Sequence, residues 1–310
     1  MKRSQHITAV LQAVFVTVLW SSSWVLVKVG LRASLPALTF AGLRYTLAFL
    51  CIAPFVLLSS KHRTTIRAFT RRDWGQLILL GLVFYTLTQG AQFLSLAYLP
   101  AAMASLLQSL TPIMVGFFGM IFLGEHPSRG QWLGVGLTAA GVAVYFLPVV
   151  IGEVQLIGLL VAVVGLLGNT AGSLLGRLVN RATSSSPLIV TFVSMGIGSV
   201  VLLIIGIATR GLGQLDLQSW LLIAWLAVVN TAFAFTLWNH TLRTLSALES
   251  GIINNLMLPQ IGILAYVFLE EALGGKEIIG LILASCGVII VQLQKKPAVL
   301  PPGETVVDVS

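Results

Sequence analysis

Charge is scarce in this chain. Asp, Glu, Lys and Arg make up 9% of its 310 residues, where a soluble domain carries about 25%. With 57% hydrophobic residues and a mean hydropathy of +0.97, a water-soluble fold could not cover its own apolar surface. A bilayer removes that requirement. Cysteine is nearly absent: Cys51 and Cys286 both sit in apolar runs, which excludes a disulfide framework and a thiolate metal pair. Histidine is as sparse, with His6, His62, His126 and His240 scattered along the chain. No G-x-S-x-G or H-E-x-x-H motif is present, so the residues offer no hydrolytic constellation, no metal site and no cofactor motif. The net charge is +8, yet its basic residues lie between apolar runs and form no groove-sized patch, which argues against a nucleic-acid partner.

The long apolar runs carry the fold. Windows of roughly 20 apolar residues predict membrane helices near 7–29, 36–59, 74–97, 101–123, 130–149, 154–176, 187–208, 218–240, 247–269 and 276–294. The first run is too long for a signal-peptide core and no A-x-A-like site follows it, so it is expected to remain as a spanning helix. Barrel strands would alternate polar and apolar residues, and these runs do not. If the N-terminus is cytoplasmic, Lys2, Arg3, Lys61, Arg63, Arg67, Arg71, Arg72, Arg129, Arg177, Arg181, Arg243, Lys295 and Lys296 fall on the cytoplasmic side. Only Lys28, Arg32, Arg210 and Lys276 fall on the other. This asymmetry predicts a multi-pass protein of the plasma or inner membrane with both termini in the cytoplasm. The segment 297–310, with its Pro301-Pro302-Gly303, is expected to be a disordered tail.

An internal repeat is the most informative feature. Displacing the chain by 146 residues brings Trp74 onto Trp220, Gly116 onto Gly262, Glu125 onto Glu271, Gly134 onto Gly280 and Gly141-Val142 onto Gly287-Val288. A displacement of 149 brings Lys28 onto Arg177 and Arg32 onto Arg181. The expected repeats are 7–149 and 154–294. Five helices in each is an odd number, so the second copy must enter the membrane from the opposite side. Such inverted repeats let one central site open to alternate sides, which argues for a transporter.

The first repeat holds Trp20 and Trp24 around three serines, then Phe40-Ala-Gly-Leu-Arg44-Tyr45, Pro112, Phe122-Leu-Gly-Glu125, and Gly134 with Gly141-Val142. The second holds Pro259, Phe268-Leu-Glu-Glu271, and Gly280 with Gly287-Val288. In this order, and duplicated, the motifs resemble the EamA-type branch of the drug/metabolite transporter superfamily. The resemblance covers the chain to about Lys296. It implies an all-α integral membrane fold of ten helices in two inverted five-helix repeats, and export of an amino acid or related small metabolite, with the aromatic amino-acid exporters as one analogue. An integral membrane enzyme and a drug or cation efflux carrier are the alternatives.

Polar side chains inside a membrane helix face protein or a watery cavity. Those expected to line a substrate cavity are Trp20, Ser21, Trp24, Tyr85, Gln89, Gln92, Gln108, Asn169, Asn230, Trp238 and Asn254. Thr17, Ser21, Trp24 and Lys28 recur on one face of the first helix. Amides bind a carboxylate or an ammonium without charging the pathway, and ring faces hold apolar groups or cations. The same residues also serve as glue between helices. Arg44, the one basic residue deep in a helix, could meet a substrate carboxylate, cap helix carbonyls or snorkel to a surface. Glu125 and Glu271 are expected to cap the N-terminus of the helix that follows each. All the acids but Glu249 fall in loops, helix ends or the tail by these boundaries, and Glu249 is near the start of its helix, which weakens a dedicated proton relay. Small-molecule substrate and lipid are the expected partners; the sequence does not fix the oligomeric state.

Overall fold

The computed structural model describes residues 2–123, 128–146, 152–182, 186–241, 244–245 and 247–293. Glu125, Arg243, Lys295, Lys296 and the segment 297–310 lie outside them. Among the described residues there is no strand. The chain folds into α1 (Lys2–Arg32), α2 (Ala37–Leu57), α3 (71–98), α4 (101–123), α5 (Arg129–Phe146), α6 (Glu153–Ala182), α7 (Pro187–Arg210), α8 (217–241), α9 (247–269) and α10 (Gly275–Leu293). These are the ten helices expected from hydropathy. A short basic helix, Ser60–Arg67, lies exposed between α2 and α3 where the sequence suggested only a loop.

Helix starts follow from local chemistry. Thr70 and Asp73 form a reciprocal capping box at α3. Asp216 accepts the Ser219 amide at the start of α8, 2.8 Å away. Its carboxyl is held below the usual carboxylate range by that hydrogen-bonding to Ser219. Pro36 and Pro100 precede α2 and α4, and Pro187 opens α7, where a missing amide hydrogen costs nothing. Leu11, Phe15, Leu50, Phe55, Leu133, Ile204, Leu221 and Ile263 stand exposed around the bundle. That apolar belt suits hydrocarbon and not water.

Four helices depart from regularity, and they form two equivalent pairs. In α3 the stretch Gly81–Gln89 is a π-helix, and in α8 so is Val228–Phe233. In α4 the chain breaks between Ala101–Gln108 and Thr111–Leu123; in α9 it breaks between Ala247–Asn255 and Met257–Leu269. Pro112 and Pro259 lie just beyond the two breaks. Pro112 and Pro259 have no amide hydrogen for the carbonyls four residues earlier, which belong to Gln108 and Asn255.

Packing obeys a two-fold pattern. Equivalent helices of the two repeats pack on each other: α2 on α7, and α5 on α10. The contact of α3 with α6 is answered by that of α8 with α1, and α4 with α6 by α9 with α1. Each is what a two-fold relation between the halves requires. The α5–α10 pair is backbone against backbone. A Cβ on Gly134 would stand 2.6 Å from the Gly287 carbonyl oxygen, and one on Gly280 2.8 Å from the Gly141 oxygen. Small residues permit that approach, and the close fit drives association where lipid gives no hydrophobic incentive.

Gly287→Val should push α5 from α10 and destabilise the purified protein by about 1–3 kcal/mol, the usual cost of overpacking. Gly136→Val, on the same helix pair but with nothing within 4 Å of its Cβ, should leave the thermal midpoint in detergent unchanged. Equal midpoints for the two variants would contradict the backbone contact.

Candidate functional site

Three polar levels cross the interior. The first is built by the π segments. The wider turn of a π-helix leaves a carbonyl for the hydroxyl five residues on: Thr88 Oγ1 donates to the Val83 carbonyl and Thr231 Oγ1 to the Leu226 carbonyl, each at 2.8 Å. In α8 this turns Asn230 and Thr231 fully inward. Asn230 Nδ2 donates to the Leu19 carbonyl and lies 3.1 and 2.9 Å from the hydroxyls of Ser22 and Ser23. Its Oδ1 is buried with no partner. Beside it, Arg44 is 6% exposed. Its Nε donates to Thr231 Oγ1 at 3.3 Å and its Nη2 to Ser23 Oγ at 3.4 Å. The guanidinium lies 5.2 Å from the Tyr45 ring centre and 5.9 Å from that of Phe93. Of the three roles the sequence left open for Arg44, helix carbonyls and snorkelling are set aside, because its partners are hydroxyls and ring faces. Tyr45 donates to Gln89 Oε1 at 2.5 Å and meets Tyr85 edge-on, 5.9 Å between centroids.

The second level is the paired breaks. Gln108 ends the first segment of α4, and its Oε1 is buried without a partner. Asn255 ends the first segment of α9, and its Nδ2 is likewise buried without a partner. Each break is tied by the first helix of the other repeat. Asn169 of α6 donates to Thr111 at 3.1 Å. Ser21 of α1 donates to Gln260 Oε1 at 2.9 Å, and Gln260 Nε2 donates to Thr17 at 3.2 Å. Broken helices at mid-membrane offer backbone groups to a bound solute, and they border the sites of many carriers.

The third level closes the face opposite the termini. Lys28 Nζ donates to the Leu96 and Leu99 carbonyls at the end of α3, both at 2.6 Å. Arg32 donates to the Leu269 carbonyl at the end of α9, 2.9 Å away. Cations at helix C-termini are favourable partners for those unpaired carbonyls. Glu271 accepts from the amides of Ala101 and Ala102 at 2.7 and 3.2 Å. It is therefore a helix cap, but not of the helix that follows it, as expected; it reaches across to α4 in the other repeat. Glu270, at φ 58°, makes the left-handed turn that aims it there. The segments 101–108 and 257–269 pack together at this face. The other halves of α4 and α9 pack on helices that these segments also touch, 111–123 on α6 and 247–255 on α10 and α1. At the termini face His6 and Glu249 lie 2.8 Å apart.

The expected site residues thus fall into groups. Asn230, Gln89 and Tyr85 belong to the Arg44 level; Ser21, Gln108 and Asn169 belong to the breaks; Trp24 is buried in the core. Trp20 meets Trp238 and Phe235 with tilted rings, each at 5.2 Å between centroids, and its Nε1 is buried without a partner. Gln92 is half-buried, and Asn254 is exposed beside the α9 break. Sequence reasoning missed Gln260, Tyr45, Thr111, Ser22 and Ser23. Gln260 carried a usable sign, a long amide next to a mid-helix proline. An apolar groove of 420 Å³, lined by Leu38, Leu82, Leu87, Leu94, Leu160 and Val164 among others, opens on the lipid flank and is not the polar hollow expected.

Comparisons with known proteins agree with this geometry. Residues 7–147 and 156–293 each match the EamA-like transporter family. An uncharacterized transporter YvbV of Bacillus subtilis (strain 168) is 28% identical over 295 residues, covering 93% of this chain and 92% of that protein. A probable amino-acid metabolite efflux pump of Escherichia coli (strain K12) is 26% identical over 302 residues, covering 90% of this chain and 92% of the pump. A crystal structure superposes with a TM-score of 0.63 at 17% identity, covering 92% of this chain and 97% of that one, which shows the shared fold. The chain belongs to the EamA-like transporter family and is a multi-pass membrane transporter.

Proposed function

We propose that the protein exports a small organic metabolite, an amino acid or a related compound, by alternating access between its two repeats, 7–149 and 154–294. The observation that carries this reading is the pair of helix breaks in α4 and α9. Each presents, at the end of its first segment, a side-chain amide with a buried, unused hydrogen-bonding atom. A buried polar atom without a partner costs about 1–3 kcal/mol, and a polar solute arriving at the site would recover it. An amide can turn either its oxygen or its nitrogen to that solute. The name of the Escherichia coli relative, an amino-acid metabolite efflux pump, supports the substrate class.

Orientation follows from the basic residues. Lys61, Arg63, Arg67, Arg71, Arg72, Arg129 and Arg177 lie at the face of the termini, which supports a cytoplasmic position for that face. The third polar level then ties the helices together at the outer face. The π segments supply helices able to bend without leaving backbone groups bare. No acid at the membrane centre is available for a proton relay among the described residues, which favours facilitated export or exchange over proton coupling.

In reconstituted vesicles, labelled L-amino acids should show saturable counterflow; no counterflow of any member of the set would overturn the substrate class. Gln108→Ala and Asn255→Ala should each lower initial flux about tenfold, the equivalent of one hydrogen bond, at normal membrane abundance. Unchanged flux in both would remove the breaks from the pathway. Glu271→Ala should loosen the outer closure. With Cys51 and Cys286 replaced by serine, a cysteine at the buried position Ala104 should then react faster with an impermeant maleimide applied from outside. An unchanged rate would show that Glu271 does not hold that face shut.

A further inference from the structure

We propose that Arg44 and Asn230 form the receptor for the two charged groups of a zwitterionic α-amino acid: the guanidinium takes the carboxylate and Asn230 Oδ1 takes the ammonium. The inference rests on the transport reading and narrows its substrate to a class.

A guanidinium carries five N–H donors in a planar fork matched to a carboxylate. Arg44 uses two of them, at 3.3 and 3.4 Å, on neutral hydroxyls. Among the described residues, no carboxylate of the protein is there to meet the rest. Glu271 holds the start of α4, Glu249 faces His6, and Glu277 pairs with Lys276. Asp73 and Asp216 cap α3 and α8, while Glu153 opens α6 and Glu270 turns at the end of α9. A staple serving structure alone would be matched by an acid or by helix carbonyls, as Lys28 and Arg32 are at the outer face.

The same shell holds an acceptor with nothing to accept. Asn230 shares the two hydrogens of its amide nitrogen between the Leu19 carbonyl and the neighbouring Ser22 and Ser23 hydroxyls, which fixes the amide orientation, because the Leu19 carbonyl can only accept. Its oxygen is left buried and bare. An unsatisfied cationic fork and an unsatisfied acceptor thus share the Ser23 hydroxyl. A carboxylate and an ammonium on adjacent carbons answer both. Tyr45 and Phe93, whose faces already flank the guanidinium, with Tyr85 edge-on behind, leave an aromatic wall for the side chain. The consecutive residues Ser21, Ser22 and Ser23 of α1 reach both the α9 break and this shell, so a solute admitted at the breaks is one helical turn from the anchor.

The test is competition in wild-type vesicles preloaded for counterflow. Each L-amino acid that the protein carries is compared with its carboxamide, which lacks the anion, and with its deaminated acid, which lacks the cation. Both analogues should compete at least tenfold less well than the parent. Arg44→Gln should abolish the preference for acid over carboxamide, and Arg44→Lys should restore part of it, which a purely structural role would not do. Equal competition by acid and carboxamide in the wild type overturns the proposal while leaving transport intact, and so does an unchanged preference in Arg44→Gln. Absence of any amino-acid counterflow overturns the substrate class itself. The wild-type comparison needs no variant, so it tests the receptor even if Arg44→Gln folds poorly.

Discussion

In hydrocarbon every backbone amide and carbonyl must find its partner within the protein, and this requirement governs each irregularity of the fold. A regular helix meets it alone. Wherever one of these helices is interrupted, a side chain supplies what the backbone lost. The π turns are lined by Thr88 and Thr231, each bonded five residues back. The α9 break is met by Ser21, whose hydroxyl lies 3.4 Å from the Met257 carbonyl and closer to Gln260. The ends of α3 and α9 are met by Lys28 and Arg32, and the start of α4 by Glu271. Ser21, Arg32 and Glu271 reach these groups from the other repeat. Satisfying the backbone and joining the two halves are therefore one task.

The two-fold arrangement follows from duplication and from glycine. A duplicated five-helix unit presents the same surfaces twice, in opposite senses. Equivalent helices meet across the axis only if small residues let them. Gly134 faces Gly287 and Gly141 faces Ala284 on one edge; Gly42 faces Leu203 and Gly206 faces Thr39 on the other. Symmetry fails where chemistry needs it to fail. Arg44 in α2 has no charged counterpart in α7, whose side chains are uncharged until Arg210, so the polar centre has a direction even though the scaffold does not.

Much of this is legible in the residues. Hydropathy locates ten helices to within a few positions, and the coincidence of Trp, Glu and paired Gly exposes the repeat. Family resemblance rests on the same motifs. Arg44 stands out as the one basic residue deep in an apolar run. What could not be read has definite causes. A π turn inserts one residue without changing composition, so Gly81–Gln89 looks like any apolar helix. Sequence points Glu271 to the next helix because it shows neighbours along the chain, whereas the true target lies 170 residues away. Asn254 and Asn255 differ by one position, about 100° around a helix, and a break between segments erases the phase that would tell which turns inward. Gln260 escapes for the same reason.

The edge pairs α2–α7 and α5–α10 touch through main-chain atoms, so there are few side chains there to reshuffle and little freedom to slide. They behave as two fixed jambs. Whatever swings must be hung between them, in α1, α3, α4, α6, α8 and α9, which contain all the breaks and π turns. Arg44 stands on a jamb, while Asn230 and Thr231 ride on a leaf of the door. Under the proposed receptor, a solute gripped by both would bridge leaf and post, and any turn of one against the other would strain that grip.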